Sequence, residues 1–145
     1  MSHEEISQFV QGLDGVLTLR PQPGDGSPEL AWGDEFFYYA PDGILPPGQP
    51  FATIVTKDYP GEPPSGLGRG VVRVNVDAGR RGQDPPADPT RRDVLIAHPV
   101  YAAHGWVSVV APGPATADEL RTLLRDAHRA AARRWHRRHD GTDDA

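Results

Sequence analysis

Two capping boxes stand near opposite ends of the chain, Ser2 with Glu5 and Thr116 with Glu119, and the longer hydrophobic patterns between them alternate with a period of two. At this spacing a hydroxyl and a carboxylate can each satisfy the other's backbone N–H, so each pair predicts a helix start. Ile6, Phe9, Val10 and Leu13 follow the first box as one apolar stripe that Gly15 can end. Leu120, Leu123, Leu124, Ala127, Ala131 and Trp135 follow the second along a much longer stripe. Strands enclosed between two amphipathic helices must bury one sheet face beneath them, which is an α+β arrangement.

The strands announce themselves unevenly. Val16 to Arg20 reads as a short one, and Glu29 to Ala40, containing WGDEFFYY, reads as a second strand region that Gly33 and Asp34 bend or split. In FATIVTKDY, Ala52, Ile54 and Thr56 share one side while Phe51, Thr53, Val55 and Lys57 share the other. In VVRVNVD, Val72, Val74 and Val76 point inward and Arg73, Asn75 and Asp77 outward, so the outer face is expected to be wet. Pro99 and Gly105 bracket a short helix, and WVSVV supplies the last strand. The fold class expected is α+β: an antiparallel sheet of four to six strands with the N- and C-terminal helices packed on one face. Residues 1–139 are expected to form a single domain with 140–145 as a disordered tail.

Composition enters as a check on this reading. Sixteen Gly and sixteen Pro among 145 residues approach a low-complexity makeup, but they fall chiefly between the periodic segments, where they act as turn formers. The absence of cysteine excludes disulfides, thiolate zinc sites and thiol catalysis. The opening MSHEEISQFV is acidic where a signal peptide is basic, and no apolar run reaches the roughly 18 residues of a membrane span. A soluble cytoplasmic protein with no membrane association is expected, monomeric or weakly dimeric.

Four runs, WGDEFFYY, FATIVTKDYPG, VVRVNVDAGR and HPVYAAHGWVSVVAPGPAT, resemble a small bacterial family known only as a domain of unknown function. The order of elements and the closing strand and helix built on WVSV are more remotely similar to MmcQ/YjbR-like proteins, whose fold is related to that of frataxin and CyaY. The resemblance implies a curved antiparallel sheet; DNA binding has been proposed for YjbR-like proteins. Related sequences tend to enter a helix after VNVDAGR. Here GRRGQDPPADPTRRD, residues 79–93, cannot form a regular one because its prolines remove donors and clash, so a surface loop is expected. Frataxin-like iron binding needs acids on the first helix, which offers only Glu4, Glu5 and Asp14.

Candidate site residues cluster in three places. Trp32, Asp34 and Tyr38, with Phe36, share an alternation that Arg73 continues across the sheet, and aromatic rings beside a few polar groups suit a small-ligand pocket. Lys57, the only lysine among fifteen basic residues, ends a central strand and could meet an anionic or carbonyl ligand. His98, Tyr101, His104 and Trp106 concentrate within nine residues, so a histidine there could act as a general base. Equally, His98 could simply cap the turn before Pro99, and the aromatic residues could be core. The histidine spacing matches no metal-binding pattern and nothing implies a cofactor. From Asp118 to His139 seven Arg face three acids, a net of +4, while the remaining residues hold eight basic groups against seventeen acidic, or −9. Arg133, Arg134, Arg137 and Arg138 beside Trp135 are the alternative, nucleic-acid-binding set, disfavoured because the rest of the domain repels phosphate. A small molecule or a protein partner, met on the open sheet face, is the leading expectation.

Overall fold

A computed structural model describes residues 1–79, 84, 86 and 88–143, the last three by their backbone alone. Helix α1 spans His3–Gln11 and α2 Ala117–Asp143; between them lie β1 (Val16–Leu19), β2 (Glu35–Tyr39), β3 (Ala52–Val55), β4 (Arg73–Asp77), β5 (Leu95–Ala97) and β6 (Trp106–Val110). The strands form one sheet in the order β1-β2-β3-β4-β6-β5, antiparallel at every pairing. No helix among the described residues is long and apolar enough to cross a membrane.

Register explains which face is apolar. Ala52 pairs with Val76 and Val76 with Val107, while Ile54 pairs with Val74 and Val74 with Val109, so two rows of small branched side chains run across the central strands. Both helices cover these rows: Ile6 and Val10 of α1 and Leu120, Leu123, Leu124 and Ala127 of α2 complete one buried cluster with them. Phe9 packs against that cluster partly buried, under the guanidinium of Arg125.

The first capping box forms as its spacing predicts: Glu5 N–H donates to Ser2 Oγ and Ser2 N–H to Glu5 Oε1, each at 3.1 Å. The second does not form. Thr116 instead donates its hydroxyl to Asp93 at 2.6 Å, and the same carboxylate accepts from the backbone N–H groups of Gly113, Ala115 and Thr116. These bonds, led by the Thr116 hydroxyl, hold the Asp93 carboxyl at about 2. A distant acid thus caps the approach to α2, a substitution that local spacing could not foresee.

Several boundaries also move. The helix α1 ends at Gln11, capped by Gly12, and Gly15 serves the following turn at φ +67°, where an added Cβ would meet the Tyr39 ring at 2.9 Å. Glu29–Ala31 is a 3-10 turn, and the strand begins only at Glu35, because Gly33 at φ +88° breaks the extended chain. Phe51 lies in a bend before β3, so it escapes the alternation and turns toward α2, edge-on to His128. The segment after Pro99 is a turn followed by a 3-10 helix, Ala102–His104, closed by Gly105 at φ +86°. Helix α2 continues past residue 139 to Asp143, and residues 144 and 145 lie outside the described residues. Of the loop expected over 79–93, residues 80–83, 85 and 87 also lie outside them.

Candidate functional site

On the sheet face turned away from the helices, register sets Thr53 opposite Asn75 and Asn75 opposite Ser108. Asn75 Oδ1 accepts from Arg73 Nε at 3.0 Å and from Ser108 Oγ at 2.7 Å, while its Nδ2 donates to Thr53 Oγ1 at 3.0 Å. Arg73 Nη1 donates to Ser65 Oγ at 2.9 Å. The expectation of a wet outer face is therefore corrected: Arg73 and Asn75 are only 5% and 3% exposed. The cover is the loop after β3, folded back by Asp58, whose carboxylate accepts the backbone N–H groups of Ser65, Gly66 and Leu67 at 2.7 to 3.2 Å. Replacing Asn75 with Ala should orphan two buried donors, Arg73 Nε–H and the Ser108 hydroxyl, and remove the donor to Thr53, lowering stability by about 2 kcal/mol, measured by urea unfolding. A neutral outcome would mean that the network is not formed in solution.

Beside this network opens a cavity of about 620 Å³, within the range of small-molecule sites. Phe36, Tyr38, Tyr59 and Trp106 supply aromatic wall, Arg73 and His98 lie deeper, and Tyr101 and His104 stand at exposed positions on the lining. Among the sequence candidates, Tyr38, Arg73, His98, Tyr101, His104 and Trp106 thus share one concavity. Trp32, Asp34 and Lys57 do not line it.

Those three have structural partners instead. Lys57 Nζ donates to the Trp32 carbonyl at 2.6 Å, away from the cavity that the other candidates line. Trp32 Nε1 donates to the Ser27 carbonyl at 3.3 Å. Asp34, 1% exposed, accepts from the backbone and hydroxyl of Thr56 and from the Tyr59 hydroxyl. Burial, with the Asp34 carboxylate, pushes the Tyr59 hydroxyl well above its ordinary range, so Tyr59 acts as a neutral donor that pins the cavity wall.

His98 is held more tightly than its neighbours. Its Nδ1 accepts from the backbone N–H groups of Val100 at 2.9 Å and Tyr101 at 3.0 Å, which fixes the proton on Nε2. The ring is 3% exposed and contacts Tyr101 and Trp106. Desolvation, reinforced by the Arg73 charge, lowers its pKa from 6.5 to about 3. A ring whose free lone pair is already committed to two backbone donors cannot take a proton from a substrate, so this geometry does not supply the His98 general base considered from sequence.

Two nitrogens in the cavity remain uncommitted. Arg73 Nη2 and His98 Nε2 make no hydrogen bond among the described residues, and among these no fully buried side-chain nitrogen or oxygen lacks a partner, so both nitrogens keep some exposure in residues that line the cavity. Among the described residues no carboxylate lies within 4.0 Å of Arg73. Desolvation consequently lowers the Arg73 pKa, against the opposing fields of Glu62 and Asp58. The polar floor was partly legible, because Thr53, Asn75 and Ser108 occupy the outward phase of three strands. Tyr59, Glu62 and Ser65, by contrast, come from an irregular loop with no periodic signal.

The arginine-rich end of α2 builds a more open concavity of about 520 Å³ that adjoins the first through Tyr38, Gly48, Gln49 and Asp77, with Arg134, Arg137 and Arg138 on its lining beside Pro46 to Gln49. Arg133 is exposed but does not line it. Trp135 is already engaged, stacked on His139 at 3.6 Å between centroids and edge-on to Tyr39, which leaves little of the ring for a nucleobase. Among the described residues no three His, Asp or Glu side chains are grouped to hold a metal ion.

No curated protein and no solved structure matches the chain. The MmcQ/YjbR-like kinship suggested by WVSV therefore gains no support from these comparisons. Residues 1–140 match a family of unknown function, DUF6194, and on that coverage the chain belongs to this family.

Proposed function

We propose that the protein is a small-molecule-binding protein that uses the cavity on the outer sheet face without carrying out a reaction of its own. The observation that supports this reading is the rigidity of the polar floor beneath aromatic walls. Arg73, Asn75, Thr53, Ser65 and Ser108 hold one another by hydrogen bonds, and His98 is held by two backbone donors. A site already ordered in this way loses little conformational entropy when a ligand arrives.

The three tryptophans make the proposal testable with internal controls. Trp106 lines the cavity, whereas Trp32 and Trp135 do not. A fragment screen followed through the indole N–H resonances should yield compounds that shift Trp106 saturably and leave the other two in place. Hits confined to Trp135, or no saturable hit at all, would sink the cavity as a binding site.

A further inference from the structure

We infer that the ligand of this cavity carries a singly charged, carboxylate-like head group that docks on Arg73 Nη2 and His98 Nε2–H, with a planar apolar body against Phe36, Tyr38 and Trp106. The inference rests on the cavity being a binding site, and it follows from a count of donors and acceptors at its floor. Every strong acceptor in the network is already engaged: Asn75 Oδ1 by two donors, His98 Nδ1 by two and Ser65 Oγ by Arg73. What Arg73 and His98 themselves leave free is a guanidinium nitrogen and an imidazole N–H, both donors, while the carboxylates of Glu62 and Asp77 elsewhere on the lining are the acceptors a cationic head group would compete for. A molecule presenting ammonium or amide hydrogens to Arg73 and His98 would find nothing there to accept them.

Charge points the same way. Arg73 is 5% exposed and has no carboxylate within 4.0 Å among the described residues, so its charge is desolvated without direct compensation. A buried unpaired charge is expensive, and an incoming anion would offset it through charge-assisted hydrogen bonds. Because His98 is neutral, Arg73 is the one cation buried at the floor, and a single negative charge suffices to pair with it directly. Glu62 and Asp77 also line the cavity and oppose any anion, a doubly charged one more strongly than a singly charged one, so direct contact with Arg73 has to outweigh them.

Four probes sharing one ring system separate the possibilities: 2-naphthoate, 2-naphthamide, 2-naphthylmethylamine and 2-naphthyl phosphate, titrated against the intact protein while Trp106 is followed by NMR. Naphthoate should bind at least about tenfold more tightly than the amide, as a charge-assisted pair in place of a neutral contact implies. The amine should bind most weakly. Equal affinities for naphthoate and the amide, or a preference for the amine, would overturn the head-group assignment while leaving the cavity reading intact. Phosphate binding as tightly as carboxylate would overturn the single-charge assignment. Failure of all four to shift Trp106 would count against the cavity reading and the inference together.

Arg73→Gln should erase the preference for naphthoate over the amide, and a preference that survives in the folded variant would overturn the assignment. Should that variant not fold, Glu62→Gln on the loop provides the second test. Removing this competing negative charge should tighten naphthoate severalfold and leave the amide unchanged. Unaltered naphthoate affinity would overturn the role given to the Arg73 field.

Discussion

Leu124→Ala should destabilise the protein by about 2 to 5 kcal/mol in equilibrium urea unfolding, the range for a buried leucine whose cavity cannot fully collapse. Leu124 has no solvent exposure and lies in the cluster where α1 and α2 meet the valine rows of β4 and β6. Truncating it leaves a void between a helix and a sheet that are both held by other contacts, so relaxation into the gap is limited. Ile44→Ala is the control: that side chain is 68% exposed, and its loss should stay within about 0.5 kcal/mol. Similar losses at the two positions would mean that α2 is not docked on the sheet as described.

This contrast also marks where sequence reasoning is strong. Leu124 and Ile44 are both large and apolar, and only periodicity separates them: Leu124 repeats at helical spacing behind a helix-start signal, whereas Ile44 sits among Pro and Gly residues. Helical and alternating patterns encode which side of an element meets the core, and the faces of α1, α2, β3 and β4 were legible for that reason. The departures share a different cause. Phe51 and the segment Glu29–Ala31 sit where the chain bends out of regular structure, so local alternation ceases to describe them. Asp93 caps the approach to α2 across 20 to 23 residues, a relation that no local window contains.

The candidate site divides along the same line. Tyr38, Arg73 and Trp106 could be grouped because they occupy outward positions of strands that pair into one sheet. Lys57 falls outside that grouping because alternation ends with β3 at Val55, and past that point its ammonium turns to the Trp32 carbonyl. Asp58 lies just beyond the periodic part of β3, yet its carboxylate organises the loop that buries Arg73. An acid folding a loop by accepting three backbone donors leaves no signature beyond the Pro and Gly residues around it. The burial that makes the floor chemically distinctive therefore originates in the least periodic part of the chain.

Acid should weaken the fold through His98, by about 1.4 kcal/mol for each pH unit below about 6.5 and by roughly 3 kcal/mol at about pH 4.5. The sign follows from the depressed pKa, 6.5 in the unfolded chain and about 3 in the folded one. Between those values the unfolded chain binds a proton that the folded chain refuses, so stability is complete above 6.5 and declines toward 3. Protonating Nδ1 would turn the acceptor of the Val100 and Tyr101 N–H groups into a third donor and add a charge beside Arg73. Asp93 is lowered from 3.8 to about 2, so its contribution is lost only below 3.8 and the two windows can be distinguished. His98→Asn isolates the effect, because the amide oxygen can accept the same two backbone donors and does not titrate. Urea unfolding at pH 7.5, 6, 5 and 4.5 should give a falling stability for the native chain and a nearly level one for the variant down to pH 5. If both lose stability in parallel over that interval, His98 is not the group that takes up the proton on unfolding, and the buried neutral ring assigned to the cavity floor is wrong.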